Sequence, residues 1–388
     1  MPQRWTFAAL MAAALSVANS AAAQDVVRIG AVQSMTGPFS QNGKETMAGA
    51  RLYMQQHGDM VAGKKIELVI RDDTSVPDIG KRLAQDLIVN DKITLLLGGI
   101  TPSALGIAPL VTEAKVPMIV VVSGASVVVE RSPYIVRTSF TLGQASSVIA
   151  RWVVKNGARK IVTLVNDWSP GVEAETTFRN VAVENGAQIV ETIRVPLQNP
   201  DFSPFLQRVR DAAPDTFFAF VPNHQAGALA KQFVERGLDK SGIRFVATGD
   251  LTPDDDLPTM PNAMLGLITA HHYSASHDSA LNKTYVSAFQ KAYGHRPSFH
   301  SVAGYDAMHV VYEALRKTGG KVDAEALVAA MKGMRWESPR GPISIDPETR
   351  DIVQNEYLRK VELVNGEMHN VEFETVEAVK DPLHGKKK

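Results

Sequence analysis

The 388-residue sequence has no cysteine. That excludes disulfides, thiol catalysis and a lipid-modified cysteine at the start of a mature chain. It also lacks charge of either sign in excess: 41 Lys and Arg face 41 Asp and Glu, so no net field draws nucleic acid or an anionic membrane. The basic run Lys386-Lys387-Lys388 reads as a solvated tail. Beyond the N-terminus, no run approaches the ~18 apolar residues that a spanning helix needs. Catalytic signatures are missing as well, since neither G-x-G-x-x-G nor G-x-S-x-G occurs. The stretch from Gly37 to Glu45 imitates a phosphate loop, but the spacing to Gly43 is too long and Glu45 stands where a Ser or Thr would hold magnesium. His271-His272, His277 and Asp254-Asp255-Asp256 raise the question of a metal. Adjacent histidines on a strand point to opposite faces, so these read as surface turn residues. No metal, no cofactor and no enzyme activity are expected.

What is present begins with an export signal. Arg4 precedes an apolar run from Trp5 to Val17, and Ala21 and Ala23 are spaced as in an A-x-A cleavage site. This predicts a signal peptide over residues 1–23, cut between Ala23 and Gln24, and a soluble mature protein in the periplasm. The remaining length suits two domains, each with its own core.

Apolar runs alternate with amphipathic ones. Strands are expected at Val26–Val32, Lys65–Arg71, Thr94–Leu97 and Met118–Val122, then at Lys160–Val165, Gln188–Arg194, Thr216–Val221, Arg244–Ala247 and Leu265–Ala270. Helices are expected at Ile79–Asn90, Ser103–Ala114, Gly143–Asn156 and Gln225–Arg236. Continuous apolar strands between amphipathic helices imply an α/β protein with doubly wound parallel sheets. The order strand, Gly/Pro loop, helix, strand occurs from Val26 and again from Lys160, which predicts two similar lobes. After Tyr273, helices at Ser279–Tyr293, Val302–Thr318 and Ala324–Met331 and strands at Ile343–Ile345 and Glu356–Val364 read as additions to those lobes. From Glu372 onward no period is visible and a loose tail is expected.

In open α/β sheets, ligands lie beyond the carboxyl ends of the strands. There the loops are small and polar: Ser34–Phe39, Gly98–Ser103 and Ser123–Ser126. Such loops let backbone N–H groups and helix N-termini approach an anion, so the later two suit a carboxylate. Phe39 and Trp168 follow strand ends instead of joining an apolar stripe.

Ile29-Gly30-Ala31, Thr36-Gly37-Pro38-Phe39 and Ala48-Gly49-Ala50 resemble the opening of the branched-chain amino-acid (Leu/Ile/Val) periplasmic binding proteins of ABC transporters. Val116-Pro117-Met118-Ile119, Ser123-Gly124-Ala125-Ser126, Tyr134–Thr138 and Gly304-Tyr305-Asp306-Ala307 continue the resemblance along the chain. It implies a type I periplasmic-binding-protein fold, with two doubly wound parallel-sheet lobes joined by a three-segment hinge. Residues 24–142 and 273–348 would form lobe 1, and residues 143–272 and 349–388 lobe 2. By the same resemblance the ligand carboxylate is held by Thr101, Pro102, Ser103, Ser123, Gly124, Ala125 and Ser126, with Phe39 beside them. Trp168, Asn223, His224 and Tyr273 face the cleft from the other side, and Asp250 takes the place of the ammonium-binding acid.

The fourth loop departs from the family's usual Pro-Ala-Ala-Thr-like run, Pro222-Asn223-His224 replaces a Gly/Tyr-rich loop, and the family's disulfide is absent. The implied function is an ABC-transporter substrate-binding protein, a monomer that captures a small carboxylate by hinge closure and hands it to a membrane permease. A branched-chain or other hydrophobic amino acid is the expected ligand. Aromatic carboxylates of the benzoate or phenylpropanoid type are the alternative, and a ligand-sensing partner of a membrane receptor is a further one. Asp250 separates the first two, since a ligand without an ammonium would leave its carboxylate unpaired.

Overall fold

The computed structural model describes residues 25–198 and 200–384; the expected signal peptide and the terminal lysines lie outside the described residues. The first sheet holds β1 (Val26–Gln33), β2 (Met60–Val61), β3 (Lys64–Asp72), β4 (Leu95–Gly98), β5 (Met118–Val120) and β6 (Ile135–Arg137) in the order β2-β3-β1-β4-β5-β6. The second holds β7 (Lys160–Asn166), β8 (Gln188–Val195), β9 (Thr216–Phe220), β10 (Arg244–Thr248) and β11 (Ile268–His271) in the order β8-β7-β9-β10-β11. Beyond β11 the sheet continues antiparallel through β14 (Ile352–Val364), with β13 (Gly341–Ile345), β12 (Arg335–Ser338) and β15 (Glu367–Val379) attached. Leaving aside the short β2, both lobes wind their parallel strands in one order, second-first-third-fourth-fifth. This is the structural form of the repeat visible in the sequence.

The parallel strands form where the chain is apolar on both faces. Every residue of β4, β5 and β9 is buried, because helices cover both sides of the sheets. In the first lobe these are α1 (Ser40–His57), α2 (Pro77–Val89), α3 (Thr101–Ala114) and α4 (Val127–Glu130). In the second they are α5 (Leu142–Lys155), α6 (Ser169–Glu184), α7 (Ser203–Asp211) and α8 (Asn223–Glu235). The added α9 (Ala280–Tyr293), α10 (Phe299–Lys317) and α11 (Ala324–Met331) return to the first lobe, where α10 buries Met308, Val311 and Leu315 against Ile29, Leu95 and Leu97. Helices α1 and α10 cross with backbones touching. A Cβ at Gly49 would lie 1.8 Å from the Ser301 carbonyl oxygen, and one at Gly304 would lie 1.9 Å from that of Thr46.

Three segments join the lobes: around residues 138–142, around 271–280, and the stretch from α11 to β14, whose strands β12 and β13 pair into the second sheet while Ile345 packs on the first-lobe core. Arg340 ties the first of them to β14 and α10. Its fully buried guanidinium donates to the carbonyls of Thr138 (2.6 Å) and Ser139 (3.1 Å) and to Gln354 Oε1 (2.8 Å), and it pairs with Asp306 Oδ2 at 2.9 Å. Removing one member of such a pair leaves an uncompensated buried charge. Arg340→Met is therefore expected to lower stability by about 3 kcal/mol, measured by denaturant unfolding. A loss below about 1 kcal/mol would show that the clamp contributes no more than a surface ion pair.

The structure corrects several expectations. Residues 372–379 are not a loose tail but the greater part of β15 (Glu367–Val379), which pairs with β14. Strand β6 was not anticipated, because three residues are too few to show a period. Strands β12 and β13, assigned to lobe 1 by sequence, are hydrogen-bonded into the second sheet through β14, while Ile345 packs into the first-lobe core. His271 and His272 are not surface turn residues, nor do they diverge: β11 ends at His271, and the two rings lie 4.3 Å apart, fully buried beside Phe140 and Phe299. Burial and the nearby cationic Arg340 and Arg359 hold both imidazoles well below their ordinary pKa, and therefore neutral. Asp254 is also buried, facing Arg359 and accepting a hydrogen bond from Asn370 at 3.0 Å.

Candidate ligand site

The winding order puts the switch point of each lobe between its first and third parallel strands, and the loops leaving those strands face each other across the cleft. From the first lobe they lead into α1 and α3, and from the second into α6 and α8. All four helices begin at the same cavity, at Phe39, Thr101, Trp168 and Asn223. None of the four is capped by the side chain of its own N-cap residue, a feature shared with α2, α4, α7 and α10. Their first N–H groups lack intrahelical partners, and their dipoles converge with positive ends inward, so the cavity is preorganised for an anion.

The space among these residues, part of it open to solvent, amounts to about 460 Å³. Its polar end is the fourth-strand corner, where Thr101 Oγ1 and Ser123 Oγ share a hydrogen bond of 2.6 Å beside Gly124. Gly124 is required there, since a Cβ would meet the Phe140 ring at 2.9 Å. Buried Arg137 holds this loop from behind, donating to the carbonyls of Ser123 and Ala125 while paired with Asp351 at 2.7 Å. The walls are aromatic and apolar. Phe39 stacks on Trp168 of the opposite lobe with centroids 5.8 Å apart and planes 25° apart, and Phe140, Phe220, Leu142, Ile100, Val122, Pro170 and Pro222 also line it. The Trp168 indole nitrogen is buried without an acceptor.

Two titratable groups reach the cavity. Asp250, in the single turn Gly249–Leu251 after β10, is partly open to it, and Thr248 Oγ1 donates to its Oδ2 at 2.8 Å. Burial pushes its pKa up to about 6, opposed by the Thr248 hydrogen bond and the positive Arg359. His300, in the first turn of α10, is held by burial at about 3 and is therefore neutral, with its Nδ1 unpartnered. The lobes touch around this site: Asn223 Nδ2 donates to Asn42 Oδ1 at 3.0 Å, and Gln41 Nε2 to Asp255 Oδ2 at 2.8 Å.

Of the residues singled out by sequence, Phe39, Thr101, Ser123, Gly124, Trp168, Asn223 and Asp250 line the cavity. The others lie elsewhere. Ser103 donates to buried Asp73 at 2.8 Å, and its neighbour Pro102 does not reach the cavity lining. Ala125 packs into the first-lobe core. Ser126 is held by Glu173 of α6, through both its N–H (3.0 Å) and its hydroxyl (2.7 Å). His224 stands behind Phe39, edge-on at 5.3 Å. Tyr273 is a core residue, fully buried with its hydroxyl donating to Asn282 at 3.1 Å. Sequence reasoning missed Asn42, Phe140, Phe220 and His300. Only Phe220, at the end of an apolar strand run, carried a local signal, because the others are brought in by hinge and helix packing. The span Gly37–Glu45 is the start of α1, and Gly43 is needed because a Cβ would lie 2.2 Å from the Ser34 carbonyl oxygen.

A family profile described as periplasmic binding protein matches residues 26–367. The chain belongs to the periplasmic binding protein family. It is similar to the Leu/Ile/Val-binding protein homolog 6 of Brucella suis biovar 1 (strain 1330), at 43% identity over 95% of this chain and 96% of that protein. Among solved structures it resembles a solute-binding protein of an ABC transporter from Rhodopseudomonas palustris BisB5 in complex with 3,4-dihydroxybenzoic acid. That likeness has 57% identity and a TM-score of 0.90, over 92% of this chain and 99% of the other. A second solute-binding protein, from R. palustris HaA2 in complex with p-hydroxybenzoic acid, is 41% identical with a TM-score of 0.90, over 94% of this chain and 100% of the other. As a periplasmic binding protein with two type I lobes, the chain is a solute-binding component of an ABC transporter. Among the described residues no helix is long and apolar enough to cross a membrane.

Proposed function

We propose that this periplasmic binding protein captures hydroxylated aromatic carboxylates of the benzoate type. It is exported by a signal peptide over residues 1–23, acts as a monomer without catalysis, and delivers its ligand to a membrane permease. The observation that carries this reading is the make-up of the cavity. Converging helix N-termini and the Thr101–Ser123 hydroxyls offer an anion its donors, and the remaining wall is apolar, with Phe39, Phe140, Trp168 and Phe220 beside Ile100, Val122, Leu142, Pro170 and Pro222. The relative bound to 3,4-dihydroxybenzoic acid supports it at 57% identity. Because the walls come from both lobes, a ligand completes its contacts only in the closed form and shifts the open–closed population towards it.

The far acid refines the chemistry. A ring hydroxyl donating to Asp250 supplies the partner that its partly desolvated carboxylate needs, and favours the ionised form. The sign of the pH dependence follows. Affinity for 3,4-dihydroxybenzoate is expected to fall as the pH drops from about 7.5 to about 5, through the pKa of Asp250. Benzoate has no hydroxyl to donate and is expected to bind better over the same interval, as the acid becomes neutral. Arg359, and Glu356 with its pKa pushed up to about 8 by burial, interact with Asp250 and are common to both measurements. Asp250→Asn is expected to remove the difference. Titration calorimetry of both acids decides it; parallel pH profiles would take Asp250 out of hydroxyl recognition.

A hydrophobic amino acid is the second reading, favoured by the presence of a carboxylate on the cavity wall and by the Leu/Ile/Val-binding homologue. A thermal shift with leucine or valine that Asp250→Asn abolishes, and none with either benzoate, would establish it in place of the first. A saturating ligand at about a hundred times its Kd adds roughly 2.7 kcal/mol, enough to read plainly.

A further inference from the structure

The end of the described chain does not trail from the second sheet. After β15 stops at Val379, whose carbonyl accepts from Gln144 Nε2 at 2.7 Å, residues 380–384 cross to the first lobe. Lys380 Nζ reaches Asp346 Oδ2 at 2.8 Å, one residue beyond Ile345 of the first-lobe core. Leu383 lies in the groove between lobes with Ser126 and Glu130 on one side and Glu173 on the other.

His384 stands among carboxylates. Its Nε2 is 2.6 Å from Asp351 Oδ2 and 3.7 Å from Asp381 Oδ2, and its Nδ1 is 3.3 Å from Glu130 Oε1. Asp381 is buried, and its Oδ2 accepts no hydrogen bond. An imidazole with a carboxylate at each nitrogen has both partners satisfied only when both nitrogens carry hydrogen. Burial by itself would lower its pKa, but the hydrogen bond to Asp351 and the charges of Asp351 and Asp381 outweigh burial and the opposing Arg137, and raise it.

The neighbouring elements carry the other titratable and charged groups. Asp351 opens β14 and is paired with Arg137 of β6, Glu130 ends α4, and Asp381 belongs to the same segment. Glu173 of α6, pushed up to about 7 by burial, is engaged with Ser126. Lys380 is turned to Asp346, and Arg350 to the carbonyls of Ile135, Val129 and Ser132.

We infer that residues 380–384 form a fourth, non-covalent connection between the lobes, fastened by protonated His384 and loosened when it loses its proton. The fastening is complete below the ordinary imidazole pKa of about 6.5 and is lost as the pH rises through the raised value. Closure would then be easier in a mildly acidic periplasm than in an alkaline one. This inference needs the hinge but no particular ligand.

The cysteine-free chain permits a direct test. Spin labels at Lys81→Cys on α2 and Glu184→Cys on α6, both exposed, report the distance between lobes in the ligand-free full chain. Double electron–electron resonance at about pH 6 and about pH 8.5 is compared with His384 present and in His384→Gln. The closed population is expected to fall about threefold more as the pH rises when His384 is present than in the variant, the order of a partly exposed ion pair, the variant keeping only the response of Glu173. Glu130→Gln, which removes only the exposed first-lobe partner, is expected to weaken the response. Equal responses in both His384 backgrounds, no response in either, or a response that follows added zinc and its chelation instead of pH would overturn the inference.

Discussion

Gly304→Ala is expected to destabilise the protein by about 3 kcal/mol or more, among the largest losses that a single added methyl can cause. The new Cβ would sit 1.9 Å from the Thr46 carbonyl oxygen and 2.8 Å from its carbon. These are backbone atoms inside α1, so no rotamer change relieves the clash. The helices would have to part along the line where Gly49 makes the reciprocal contact with Ser301. Separation would loosen Met47, Ala50 and Tyr53 of α1 from Met308 and Tyr312 of α10 in the first-lobe core. It would also displace Asn42 and His300, which reach the cavity from the first turns of the same two helices. Thermal denaturation checks the prediction, and an unchanged Tm would show that the crossing can widen freely. Gly227→Ala in α8 is the control: no atom lies within 4 Å of its Cβ, so it is expected to gain up to about 1 kcal/mol from helix propensity.

The second large effect is on binding. Trp168→Ala is expected to weaken the affinity for 3,4-dihydroxybenzoate by roughly 30- to 150-fold, or about 2–3 kcal/mol. Trp168 supplies wall area from the second lobe, stacks on Phe39 of the first, and so contributes both to ligand contact and to closure. Its indole N–H is buried without a protein acceptor, and a ligand oxygen placed beside it would supply one. Trp168→Phe separates the two contributions: it keeps the ring and loses the donor, and is expected to recover most but not all of the affinity. Calorimetry on both variants is the measurement. A loss under about threefold for the alanine variant would mean that the ligand rests against other walls.

The two predictions differ in how far local sequence foretold them. Phe39 and Trp168 were visible as aromatics placed just after strand ends, where ligands of wound sheets lie. The meeting of Gly49 with Ser301 was not, because nothing in either segment shows that residues over 250 positions apart will touch. The same division runs through the site. Thr101, Ser123 and Gly124 follow from loop position. Ser103 and Ser126 sit in the same two loops, yet they are turned to Asp73 and Glu173 by contacts that no loop pattern encodes. The histidine pair misled for a related reason: its polarity reads as surface, whereas Phe140, Phe299 and the hinge enclose it.

By itself the sequence determined the two wound lobes and the set of loops that border the cleft. Both rest on local information: the alternation of apolar strands with amphipathic helices, and small residues where chain leaves sheet. Tertiary structure alone decided which side chains of those loops reach the cavity and which are spent on neighbours. It also brought Phe140 and His300 into the wall, seated β15 on β14, and engaged Asp250 with Thr248. These outcomes depend on how helices and hinge segments distant in sequence pack together, and on the burial that packing imposes, which no short window of residues contains.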